Sequence, residues 1–169
     1  ALLGCSRLSR PPWSYKFIIF INLKVMKNTQ EKIMLSQHFS LWEMTRSGTA
    51  IELGIDNTPG KMEIESLKLL CENVLEPLRR RFGAIIISSG YRCEKLNEAV
   101  GGVENSQHMR GEAADIHTSD EEQARRYFDF IKENTDFDQL LLEQKLDNGC
   151  CWLHVSYTAR RKNRRVSMR

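Results

Sequence analysis

The spacing of apolar residues changes period between Phe82 and Ala84, and that change does most to limit the fold. Before it, Leu67, Leu70, Val74 and Leu78 recur on one stripe at helical spacing. After it, residues 84–88 form a largely β-branched run suited to a buried strand. The stripe predicts a helix that opens at the turn Asn57-Thr58-Pro59-Gly60 and runs to about Phe82. Pro77 is expected to kink it or split off its last turn, because proline cannot donate to the helical ladder. Upstream, Ser40 and Glu43 make a capping box for a short helix carrying Trp42. Downstream, a short helix around residues 94–99 ends at Gly101-Gly102, residues 103–110 read as polar loop, and residues 113–117 read as a short strand. Ser119 and Glu122 make a second capping box, and the helix it opens puts Ala124, Tyr127, Phe128 and Ile131 on one face. Two strands, 138–145 and 150–158, close the pattern. Helices first and a hairpin last give an α+β fold, with helices packed on a small, mainly antiparallel sheet.

A chain of 169 residues suits one domain, expected over residues 26–158. No apolar run approaches the roughly 18 residues of a membrane span. Residues 1–25 are expected to be a non-native or translated upstream extension, with Met26 as the natural start. As a signal peptide, the run 17–21 is interrupted too soon, by Asn22 and Lys24, and no small-x-small cleavage site follows. Leu2-Leu3-Gly4-Cys5 resembles a lipoprotein cleavage box, but nothing hydrophobic precedes it. The formal charge of +3 comes from the ends. Residues 1–27 and 160–169 hold eleven basic residues and no acid, leaving 14 basic against 22 acidic residues between them. An acidic body argues against a nucleic-acid-binding fold. The basic tail, residues 159–169, is expected to be solvated and frayed, with an anionic wall polymer or a nucleic acid as the alternative contact. Five cysteines are an odd number and too few for a disulfide scaffold. Nothing in the pattern demands more than a monomer.

The chemistry concentrates in two segments. Ser106-Gln107-His108-Met109-Arg110-Gly111-Glu112-Ala113-Ala114-Asp115 gathers a histidine, a glycine and a carboxylate at the start of a strand. Trp152-Leu153-His154-Val155-Ser156 sets a lone histidine within another strand. Two imidazoles and one carboxylate complete the protein ligand set of a catalytic zinc site, with the fourth position left to water. The spacing by itself also occurs by chance, so residues alone leave metal ligands and ordinary core histidines both open.

The pattern Ser-x-His-x-x-Gly-x-Ala-x-Asp at 106–115, followed by Trp-x-His at 152–154, resembles the zinc D-Ala-D-Ala carboxypeptidase (M15) family. The likeness is strongest to its short phage and bacterial peptidoglycan-peptidase branch. Ser89-Gly90-Tyr91-Arg92 and Leu96-Asn97…Val100-Gly101-Gly102 match in the same order, and the resemblance spans about residues 35–158. It implies the hedgehog/DD-peptidase fold and a zinc ion bound by His108, Asp115 and His154. It also implies that Arg92 holds the substrate's carboxylate and that the enzyme acts at the cell wall. Whether the chain is exported or released by phage lysis is left open, as is the choice between D-Ala-D-Ala and L-Ala-D-Glu bonds.

One departure concerns the base. Many family members carry an acid three positions before the last histidine, where this chain has Cys151. A thiol beside zinc would ligate it and would shuttle protons poorly. Asn148-Gly149 is a strong type I′ turn signal and would set Glu143 directly opposite His154. A turn at Asp147-Asn148 would instead set Glu143 opposite Trp152, still on the face of His154, because strand side chains alternate with period two. In either register Glu143 is the expected base.

Other residues carry competing readings. Arg92 has a fork suited to a terminal carboxylate, or could cap a turn or pair with an acid. His117 shares the strand face of Asp115 and is either a further ligand or a neighbour of the site. Ser106 is expected to bond locally and shape its loop. Trp152 and Tyr91 read as site wall or core, His38 as structural or exposed, and Cys71 and Cys93 as core or helix-start residues. Three functions follow: a zinc peptidase cutting peptidoglycan stem peptides, a zinc-containing peptidoglycan-binding module without turnover, or a basic-tail adaptor for nucleic acid or wall polymer.

Overall fold

The computed structural model describes residues 33–144 and 151–169. Both the extension 1–25 and the turn signal at Asn148-Gly149 lie outside the described residues. Six α-helices appear among them: α1 (Leu41–Thr45), α2 (Gly48–Leu53), α3 (Lys61–Leu70), α4 (Glu76–Phe82), α5 (Glu94–Ala99) and α6 (Glu121–Asn134). Five strands, β1 (Ile86–Ser89), β2 (Ala113–His117), β3 (Gln139–Gln144), β4 (Cys151–Ser156) and β5 (Val166–Met168), form one sheet in the order β1-β2-β4-β3-β5. Every pairing is antiparallel except that of β3 with β5. The α+β expectation of helices on a mainly antiparallel sheet is met.

The sheet sorts its residues by parity. Ile87, Ala114, Ile116, Leu140, Leu153 and Val155 are buried in the core with Leu67, Leu70, Val74 and Leu78 from α3–α4 and with Tyr127, Phe128 and Ile131 from α6. Burying side chains of this size contributes about 1.5–3 kcal/mol each. Asp115, His154, Trp152 and Glu143 alternate with those residues and occupy the other face. One face therefore holds the sheet to the helices, and the other is left for chemistry.

The expected long helix is present, but Cys71–Leu75 between α3 and α4 is a π-helical turn. The Glu76 N–H reaches back to the Cys71 carbonyl, five residues away, and Pro77 then falls in the first turn of α4, where its missing donor is not needed. The second capping box is displaced by one residue. Asp120, rather than Ser119, caps α6 by accepting from the Gln123 N–H at 2.7 Å, and Gln123 in turn accepts from the Ser119 N–H. Helix α2 lies in a stretch with no expectation attached. At the first sheet edge, β1 is bulged between Ile87 and Ser89, and Arg46 Nη2 donates to the Ile87 carbonyl.

The basic tail is not frayed. Residues Val166–Met168 add to the sheet as β5, and the preceding arginines close on two buried carboxylates. Asp138, fully buried, accepts from Arg161 Nη1 and Nη2, from Arg164 Nε and Nη2, and from the Arg164 backbone N–H. Glu112, also buried, accepts from Arg160 Nε and Nη2 and from the Thr158 hydroxyl. Without cations these carboxylates would be too costly to bury, so each fixes the segment that neutralises it.

Two outcomes test this account. Gly111 has a φ of +68°, and a Cβ there would come within 2.4 Å of the Glu63 carbonyl oxygen, whereas Gly101, at φ +72°, has open space. Gly111→Ala is expected to cost more than 2 kcal/mol in urea denaturation and Gly101→Ala about 1 kcal/mol; equal costs would refute the close approach. Burial alone would push the Asp138 carboxyl up, but hydrogen bonds from Arg161 and Arg164 hold it well below the usual carboxylate range. Its stabilisation is therefore present above the unfolded-state value of about 4 and is lost as pH falls toward the depressed folded value. Asp138→Asn should cost about 2 kcal/mol at pH 7, and the gap to the parent protein should close below about pH 4.

Candidate metal centre

Three elements converge on one point of the open face. His108 stands in a 3-10 turn, Gln107–Arg110, that Ser106 caps by accepting from the His108 N–H at 3.3 Å. Asp115 lies in β2 and His154 directly opposite it in β4, as the antiparallel register requires. His108 Nε2, His154 Nδ1 and Asp115 Oδ1 form a triangle with sides of 3.3, 3.0 and 3.3 Å. No other group of three or more His, Cys, Asp or Glu side chains with such geometry occurs among the described residues.

The His108 tautomer follows from its second nitrogen. Nδ1 lies 2.6 Å from the Gly90 carbonyl, which can only accept, so Nδ1 carries the proton and Nε2 offers a lone pair. Gly90 itself is packed against α1's Met44, where a Cβ would stand 2.3 Å from the Met44 carbonyl oxygen, so the position admits only glycine. Burial alone would push the Asp115 carboxyl up, but the two imidazoles that face it hold it well below the usual carboxylate range.

Three lone-pair atoms so close together fit a cation better than a proton, which can bridge only one pair of them. In a tetrahedral site with metal–ligand bonds of about 2.0–2.2 Å, ligand atoms stand about 3.3–3.6 Å apart. The observed separations lie within a few tenths of an ångström of that. His108 and its bond to Gly90 also match the way a ligating histidine is oriented through its other nitrogen.

Arg92 borders the cluster, with Nη2 3.8 Å from Asp115 Oδ2. Its Nε is buried without a hydrogen-bond partner. Burial lowers the Arg92 pKa, against the fields of Asp115 and Glu143, yet a guanidinium stays charged at neutral pH. The loop carrying it is pinned by Asn57, which donates to the Thr45 and Tyr91 carbonyls and accepts from the Cys93 N–H. Local spacing marks Asn57 only as part of a turn, because its three bonds reach partners up to 36 residues away.

The β3–β4 ladder corrects the preferred register. Leu141, not Glu143, pairs with His154, and Glu143 pairs with Trp152. This is the alternative register, and Glu143 shares the face of His154 as period two requires. Cys151 is buried at the start of β4, three positions from His154 and so on the opposite face, and is not a member of the cluster. His117 is likewise outside it, at the exposed end of β2. His38 is structural: its Nδ1 lies 2.8 Å from Glu76 Oε2, and Ser36 and the His38 N–H both donate to Oε1. Cys71 is core and Cys93 is the N-cap of α5. Tyr91 is half-buried against the core and also faces the groove beside Arg92.

Three residues able to hold a cation, with a guanidinium at their rim, suit a metallopeptidase built on such a sheet. Comparison with known families gives the same class: the family model described as Peptidase M15 matches residues 37–156, and the chain belongs to that family. The match takes in β1 to β4 and ends before β5 and the arginine-rich segment. No curated protein matches the chain. Among the described residues no helix is long and apolar enough to cross a membrane.

The tautomer assignment is directly measurable. Nitrogen-15 NMR of the metal-free protein is expected to find the His108 proton on Nδ1 and not on Nε2; the reverse would refute the tautomer assigned from the Gly90 carbonyl.

Proposed function

We propose that the protein is a zinc peptidase that hydrolyses peptidoglycan stem peptides at a bond involving a D-amino acid, of the D-Ala-D-Ala carboxypeptidase or L-Ala-D-Glu endopeptidase type. The observation that carries the reading is the triangle of His108 Nε2, Asp115 Oδ1 and His154 Nδ1 in a chain of the M15 family. Bound by these three residues, zinc would polarise the scissile carbonyl and make water a stronger nucleophile near neutral pH.

The remaining roles fall to this chain's own groups. Arg92 orients the peptide by pairing with a substrate carboxylate, a role supported by its place in the groove with Nη2 at the rim of the cluster. Glu143 is the base, taking a proton from the attacking water and returning it to the leaving amine. Its support is its place on the face of His154 and the field it exerts on Arg92. Glu143 thus fills the role that Cys151 cannot. Gly90 and Ser106 hold His108 in place so that the ligand atoms are set before substrate arrives.

Purified peptidoglycan incubated with the protein should release a defined peptide, identified by mass spectrometry. The product should disappear with a chelator and return with zinc. Glu143→Gln should lower kcat by about 10²–10⁴-fold while zinc stays bound at one equivalent. Intact muropeptides from the zinc-loaded parent protein would reject the peptidase in favour of a zinc-containing binding module.

A further inference from the structure

Beside the candidate metal centre lies a second recess of about 300 Å³, bordered by His154 and Ser106 and by Arg110, Arg160, Arg161 and Arg164. No carboxylate lines it among the described residues. It shares no lining residue with the larger groove that holds Arg92, which runs along β1. Asp115 and His154 of the three-residue cluster sit between the two, on β2 and β4.

The arginines are held in place from behind. Glu112 and Asp138, which bind them, are only 2% and 0% exposed, whereas the four arginine side chains are 42–58% exposed. Four guanidiniums against two carboxylates leave an excess of two positive charges, and the negative partners lie on the buried side. The recess therefore presents an excess of positive charge. Arg160 and Arg164 each commit Nε and Nη2 to their carboxylate, and neither gives it Nη1. Arg110 Nε stands 3.6 Å from Glu112 Oε2 and its Nη2 donates to the Asn105 carbonyl, neither engaging Nη1. Fixed forks with unused donors suit a carboxylate, because little side-chain entropy is lost when it binds.

We infer that this recess is an anion subsite that binds a second free carboxylate of the substrate, on the side of the metal centre away from Arg92. The inference rests on the proposed peptidase reading and narrows it: the substrate is an acidic peptide with carboxylates on both sides of the cluster. It also gives the arginine-rich segment beyond the family match a role in choosing substrate. A peptide neutral at that position would bind the same centre with one charge-assisted contact fewer.

The test uses two synthetic stem peptides, one with D-isoglutamate at its second position and one with D-isoglutamine, so that they differ in a single carboxylate. Calorimetric titration into the zinc-loaded Glu143→Gln protein measures binding without turnover, and cleavage is followed separately with the parent protein. The acidic peptide is expected to bind about tenfold more tightly than the amide at low salt, with the difference shrinking in 0.5 M salt. Arg110 makes the fewest structural bonds of the four, so Arg110→Gln should reduce the preference to under about threefold, and Arg110→Lys should restore part of it. Equal binding of the two peptides, both cleaved by the parent protein, would overturn the subsite and leave the peptidase standing. If neither peptide is bound or cut although zinc is held, both fall.

Discussion

The pairing of β2 with β4 is the constraint on which the rest depends. Asp115 and His154 come from segments 39 residues apart, yet they face each other at 3.0 Å because the antiparallel ladder makes them direct partners. Slipping β4 by one residue would send His154 into the core and turn Leu153 and Val155 out of it. The hydrophobic face therefore enforces the chemical one. His108 is the single member of the cluster not on a strand, and a cap from Ser106 and a bond to the Gly90 carbonyl hold it instead.

A second organising principle is the buried carboxylate. Glu112 follows the glycine that ends the His108 turn, and Asp138 precedes β3. Each sits where an uncompensated charge would be untenable, and the arginines that arrive from residues 160–164 remove the difficulty. Gln107, next to His108, donates to the same Asp138, so the tail and the His108 turn share one anchor. The loss of Asp138 would be felt at the cluster as well as at the tail, although it touches no ligand atom.

Much of this was legible in the sequence. Residues 94–99 and 113–117 match α5 and β2, since short-range signals decided them. The face of Glu143 was readable because strand parity survives an error of two residues in partner pairing; its partner was not, because that depends on a turn with two competing solutions. The cap of α6 moved from Ser119 to Asp120, two adjacent residues of nearly equal capping strength. Asn57, Gly90 as acceptor, and the docking of Arg160, Arg161 and Arg164 were not legible. Each is a contact between residues far apart in the chain, and a basic cluster read in isolation looks solvated. The likeness in residues 106–115 and 152–154 located the three-residue cluster, which spacing alone left open.

The two margins of the sheet differ in how they end. The β1 side carries a bulge and has Arg46 seated on the Ile87 carbonyl, while β5 on the far side is only three residues long. Unpaired strand margins invite pairing with another chain, and a break in the ladder, a cation on a free carbonyl and a very short terminal strand are ways to discourage it. Ile86, half exposed on β1, would otherwise lie on a continuous template. A protein with one wettable, charge-bearing sheet face thus carries rims that discourage strand-to-strand pairing, which leaves that face as the part of the sheet open to solvent.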